Sequence, residues 1–145
     1  MLGAMAALFA ALAAATAPGA ATADLNGHSA YTEDGRKVAC KAADRILLIP
    51  TPLTSEVIAK WSFLEKDRGL IDLETSADFT PPPGALAVGC DGAGRFAISD
   101  IAPGRYLLVS VITDGPVRHV VWKRIDLSAG QDQSVDVSAT VYVIG

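Results

Sequence analysis

The sequence predicts an all-β fold: an antiparallel, Greek-key β-sandwich of about seven strands with one short helix in a long connection. Three observations predict it. Residues 134–143 alternate, with Val135, Val137, Ala139, Val141 and Val143 on one face and Ser134, Asp136, Ser138, Thr140 and Tyr142 on the other. That period of two marks a strand with one buried face. From residue 85 onward, short apolar segments are separated by Gly, Pro and Asp turns, the punctuation of successive strands. Helical spacing occurs at Val57, Ile58, Trp61 and Leu64.

Residues 1–23 carry no charged side chain, and Ala, Leu, Met and Phe dominate up to residue 15. Thr16, Pro18 and Gly19 end that run, and Ala21-Thr22-Ala23 has the small-x-small form a signal peptidase accepts. The apolar stretch is shorter than the roughly 18–20 residues that span a bilayer. A signal peptide over 1–23 is therefore expected, with a periplasmic or secreted product and no membrane span after its removal. Residues 24–36 are polar and glycine-bearing and read as a linker with Asp34-Gly35 as a turn. The domain then occupies 37–145.

Within it, strands are expected at 37–41 and 45–49, the second halted by Pro50 and Pro52. A helix of about ten residues from Ser55 follows, capped by Thr54 or Ser55, with Glu56 in its first turn. Residues 70–80 show no clear period. Pro81-Pro82-Pro83-Gly84 then makes a stiff, extended lead into strands at 85–90, 95–99, 105–112, 118–127 and 134–143.

Cys40 and Cys90 are the two cysteines, and export carries them into an oxidising space. Val38 and Cys40 share one strand parity; Leu86, Val88 and Cys90 share another. Both thiols thus fall on inward faces, as an inter-strand bridge requires. The competing reading is two separate buried thiols. A catalytic thiol is disfavoured, because no histidine stands near either cysteine in sequence.

The 12 basic and 16 acidic residues leave a net charge of −4. No basic stripe interleaved with aromatics exists to recruit phosphates, which argues against nucleic acid as a partner. Asp91-Gly92-Ala93-Gly94 is short of the oxygen ligands a calcium loop needs, and no serine or threonine has a paired histidine for nucleophilic catalysis. Asp100, Asp114 and Asp126 sit near strand ends, where solvated carboxylates are common.

In residues 91–111, Asp91, Gly94, Phe96, Ile98, Ile101, Pro103, Gly104, Tyr106 and Leu108 follow the pattern D-x-x-G-x-F-x-I-x-x-[IL]-x-P-G-x-Y-x-[LV]. This run resembles the carboxypeptidase regulatory-like domain, a prealbumin (transthyretin-like) β-sandwich. Weaker likeness to small exported bacterial members lies in Val38-Ala39-Cys40 and in residues 46–52. Gly92 and Gly94 read as positive-φ turn positions, Phe96 and Ile98 as inward-facing, and Tyr106 as an edge ring bonding backbone. The resemblance implies an accessory module with no catalytic residues, no cofactor and no metal. Related sandwiches do support enzymes. Intradiol ring-cleaving dioxygenases bind iron through two tyrosines and a His-x-His pair, but His119 is followed by Val120 and Val121, and His28 lies beside the leader. Transthyretin-like hydrolases end Tyr-Arg-Gly-Ser, whereas this chain ends Tyr142-Val143-Ile144-Gly145.

The expectation is an exported, non-catalytic binding or structural module of the cell envelope, a β-sandwich scaffold for protein–protein interaction with an unknown envelope partner, with a carbohydrate-binding module, its partner a carbohydrate, as the runner-up. The alternative from another class is a small hydrolase or metal-dependent enzyme. Val57, Ile58, Trp61, Leu64 and Trp122 are the candidate partner or ligand surface. The competing reading packs the helix onto the sheet and has both tryptophans seal the core.

Overall fold

The structure, a computed structural model, describes residues 21–66, 69–74 and 78–142. Most of the leader, Val143 and the chain end lie outside the described residues. The fold is all-β, with eleven strands among the described residues rather than about seven. They are β1 (Ala23–His28), β2 (Ala30–Glu33), β3 (Arg36–Ala39), β4 (Arg45–Pro50), β5 (Leu70–Glu74), β6 (Leu86–Val88), β7 (Arg95–Ile101), β8 (Gly104–Asp114), β9 (Val117–Leu127), β10 (Asp132–Asp136) and β11 (Ala139–Val141). A helix, α1 (Ser55–Lys60), and a 3₁₀ turn, Ser62–Glu65, lie in the connection between β4 and β5.

The largest sheet has the order β5-β9-β8-β4-β6 and is antiparallel throughout. Two three-stranded sheets, β10-β1-β7 and β11-β2-β3, lie along the chain ends. Here the antiparallel expectation needs correction, since β1 pairs with β10 and β2 with β11 in parallel. Residues 24–36 are also not a linker. They supply β1 and β2, and the boundary expected after Ala23 falls inside β1, where Ala23 is buried opposite Ile101. Polarity misled because these strands are short and carry Asp24, Asn26 and Thr32 on their wetter faces.

Ser29 is the joint between the two small sheets. Its backbone bonds Gly94 on one side and Cys40 on the other. Its hydroxyl donates to the Val137 carbonyl at 2.8 Å, which leaves Ser110 of the large sheet to donate to it. The alternation of 134–142 persists in burial, but the segment splits at Val137-Ser138 into β10 and β11 as it changes partner.

Turn chemistry follows the residues. Asp34 (φ 49°) and Gly35 (φ 84°) both take positive φ between paired Glu33 and Arg36, the type I′ hairpin that Asp-Gly favours. Between Asp114 and Val117, Gly115 (φ 60°) precedes Pro116, matching a type II′ turn. In the 91–94 turn, positive φ falls on Gly94 and not on Gly92.

The large sheet is buried on both faces, and this explains why Ile46-Leu47-Leu48-Ile49 is continuously apolar. Ile46 and Leu48 join one core with Leu25, Tyr31, Phe96, Ile98, Leu108 and Val121. Leu47 and Ile49 face a second core with Val57, Trp61, Leu64, Val109 and Trp122. The molecule therefore has three layers: the two small sheets, the large sheet, and a cover built from residues 53–66 and 78–85. Cys40 and Cys90 are bridged, with Cα atoms 5.6 Å apart, in the first core. Leu86 departs from the expected inward parity and is 42% exposed on edge strand β6.

Candidate functional site

The helix predicted over ten residues is shorter. α1 ends at Lys60, where Trp61 leaves helical geometry (φ −133°, ψ 63°) and begins the 3₁₀ turn. Thr54 caps it, accepting from the Val57 N–H. Val57, Trp61, Leu64 and Trp122 are all brought together, but inside the second core, and Ile58 is half-buried. Trp61 donates its indole N–H to the Asp78 carbonyl and Trp122 to the Lys66 carbonyl. One face of Phe79 stacks on Trp61 and the Arg118 guanidinium lies over its ring. These rings pack as a largely buried layer, 4% exposed at Trp61 and 6% at Trp122, beside a small cleft of about 180 Å³ that Val57, Trp61 and Pro81–Pro83 help to line.

A constellation that sequence reasoning missed surrounds His119. β9 places His119 opposite Ile112 of β8 and Asp72 of β5. Nδ1 lies 2.7 Å from Asp72 Oδ1 and Nε2 lies 2.9 Å from Asp114 Oδ2. The imidazole stacks on Tyr31 of β2, centroids 3.5 Å apart, and is 3% exposed. Arg36 grips Asp114 through both terminal nitrogens, at 2.7 and 3.3 Å. These hydrogen bonds, Arg36 first and His119 second, hold the Asp114 carboxyl down to about 2. Burial pushes the Tyr31 phenol well above its usual range, and its hydrogen bond to Glu33 adds to the shift.

A histidine between carboxylates resembles a general-base arrangement. Here both ring nitrogens are already engaged by carboxylates, Asp72 at Nδ1 and Asp114 at Nε2, so neither faces open space where a substrate could lie. The ring face is covered by Tyr31. The cluster ties β2, β3, β5 and the β8–β9 hairpin together around a buried imidazole, with Arg36 and Asp72 more than half exposed at its rim. Asp114 is thus not a solvated strand-end carboxylate. Among the described residues no group of three His, Cys, Asp or Glu side chains is placed to hold a metal ion.

Binding requires polar groups whose hydrogen-bonding capacity is not already spent. One cleft of about 350 Å³ is lined by Asp44, Arg45, Asp78, Phe79, Thr80 and Arg118, among others. Its groups are largely committed: Arg45 donates to the carbonyls of Ala42 and Asp44, and Asp78 bonds Thr80 and Lys60. A second cleft, of about 470 Å³, differs. It is lined by Thr51, Pro52, Arg105, Tyr106, Arg124, Ile125 and Asp126.

Register explains how this second cleft is built. Arg105 stands opposite Asp126, and Leu107 opposite Arg124, across β8 and β9. Arg105 shares the parity of Leu107 and Val109, and Arg124 that of Trp122, so the charged side chains continue the sheet face that carries the second core. The cover stops short of this end, leaving Arg105, Arg124 and Asp126 exposed. Arg124 has no hydrogen-bond or ion-pair partner among the described residues, and Arg105 has a 3.7 Å contact with Asp126 in which both are about four-fifths exposed. Tyr106 is fixed by its hydroxyl, which donates to the Ala102 carbonyl at 2.5 Å, the backbone bond expected of it. Arg105 and Arg124 were readable only as alternate residues continuing Leu107 and Trp122 beyond the apolar stretch.

No family model matches the chain, and no curated protein matches it. Solved structures show the same fold. A candidate carbohydrate-binding protein of Pseudomonas aeruginosa is similar at 23% identity and a TM-score of 0.60, over 83% of this chain and 90% of that one. The minor pilin GBS52 of Streptococcus agalactiae is similar at 11% identity and a TM-score of 0.50, over 87% of this chain. The chain spans about half of that pilin, 47% of its length. Both are likenesses of β-sandwich fold.

Proposed function

We propose that this chain is an exported, non-catalytic binding module that holds a carbohydrate in the cleft between Arg105 and Arg124. The observation that carries the reading is the unspent donors of Arg124, Arg105 and Thr51 set around one cleft, with Pro52 supplying apolar surface beside them. A sugar has the matching character, with hydroxyls at its edge and C–H groups on its faces. Protein docking on the helix fits less well, because Val57, Trp61 and Leu64 point inward. Among the described residues only Leu86 and Tyr142 are large hydrophobics exposed to solvent, few for the apolar centre of a protein interface.

Export is supported by the Cys40–Cys90 bridge, since such bonds persist in oxidising compartments. Among the described residues no helix is long and apolar enough to cross a membrane. The absence of catalysis is supported by the closed His119 cluster. Membership of the carboxypeptidase regulatory-like family belongs to the same reading. It rests on residues 91–111, where Asp91 accepts from the backbone of Ala93 and Arg95, and Phe96 and Ile98 are buried. The candidate carbohydrate-binding protein shares the fold over most of its length. Calorimetric titration of the full chain against a panel of neutral and acidic oligosaccharides tests the proposal. The expected result is saturable binding of at least one saccharide that Arg124→Ala removes without lowering the melting temperature. Silence across the panel, or binding indifferent to Arg124, overturns it.

A further inference from the structure

We infer that the cleft selects a carboxylate-bearing saccharide, a uronate, whose acid group is gripped by Arg105 and Arg124; this rests on the carbohydrate reading above. The two arginines are diagonal neighbours on adjacent strands, a placement that puts their Cβ atoms about 7 Å apart. Like charges so placed repel, and among the described residues Arg124 has no hydrogen-bond or ion-pair partner. A carboxylate between them relieves that repulsion. Each guanidinium presents a planar fork of donors that matches the two oxygens of a carboxylate, a geometry a neutral hydroxyl cannot use.

The charge count points the same way. The chain carries −4 overall, yet the cleft holds two arginines against the single carboxylate of Asp126. That residue competes for Arg105 through a loose, solvent-screened contact and is readily displaced by a bidentate ligand. Once freed it accepts from a sugar hydroxyl, as the Thr51 hydroxyl does. Pro52 offers an apolar surface to the face of the pyranose ring.

The experiment is calorimetric titration of the full chain with trigalacturonic acid, with the neutral galactotriose, and with inorganic phosphate as a free oxyanion. The expected result is that the acidic trisaccharide binds at least about tenfold more tightly than either, the margin one charge-assisted contact supplies. Arg124→Ala and Arg105→Ala each weaken it about tenfold or more, Arg124→Lys retains part of the affinity, and added salt weakens it. Asp126→Asn strengthens uronate binding by removing a like charge, a change that a merely structural arginine cluster would not produce. Equal affinity for the acidic and neutral sugars overturns the uronate inference and leaves the carbohydrate reading standing. Phosphate binding as tightly as the acidic sugar also overturns it, assigning the cleft to free oxyanions. No binding of either sugar overturns both.

Discussion

Asp114 shows how a single side chain acquires a role from neighbours distant in sequence. Its carboxylate is held by Arg36 of β3 and His119 of β9, and its ionisation lies near 2 rather than near the ordinary value of about 3.9. Between those values the unfolded chain binds the proton that the folded chain refuses, so stability rises with pH through that window. The contribution is complete above about pH 4–5 and disappears as pH falls towards 2. Urea unfolding followed from pH 6 down to pH 2 is expected to show this loss, and Asp114→Asn is expected to flatten the curve below pH 4. An unchanged slope in the variant would refute the account. None of this was legible in sequence, because Arg36 and Asp72 reach the cluster through pairings that composition does not encode. Gly27 is a similar case. A Cβ there would come within 2.2 Å of the Phe96 ring, yet in the sequence it is one glycine in a polar stretch.

At the scale of elements, period and turn chemistry were readable and pairing was not. β7, β8 and β9 follow from alternating or apolar runs bounded by Asp91-Gly92-Ala93-Gly94, Pro103-Gly104 and Gly115-Pro116, all local signals. β1 and β2 escaped because a strand of four to six residues with three polar side chains resembles a loop until its partners are known. The helix was correctly placed but overextended, since Leu64 keeps the helical stripe by way of a 3₁₀ turn after Trp61. Its weight in the fold is nonetheless large. Trp61 is 4% exposed and packs with Val57, Leu64 and Phe79 over the sheet. Trp61→Ala is expected to cost about 3–5 kcal/mol, measured by urea denaturation. A cost below 1 kcal/mol would mean that the cover is not part of the cooperative fold.

For the whole molecule, the three-layer arrangement turns on a central sheet that serves two cores. The sequence carried this in the uninterrupted Ile46-Leu47-Leu48-Ile49, a run suited to burial on both faces, while the pattern of 134–142 announced a strand wet on one side. The bridge between Cys40 and Cys90 closes a segment 50 residues long, and the chain-entropy account assigns such a loop about 4 kcal/mol of stabilisation. Reduction is expected to lower the unfolding free energy by that order, and the Cys40→Ala/Cys90→Ala double variant to match the reduced protein. Equal stability with and without reductant would contradict it. The two cores also differ in what they report. Trp61 and Trp122 both lie in the outer core, whereas the bridge lies in the inner one. Indole fluorescence therefore watches the cover lift from the sheet, while susceptibility of the bridge to reductant watches the sandwich itself open. Whether those two signals move together distinguishes a protein that melts as one body from one that sheds its outer layer first.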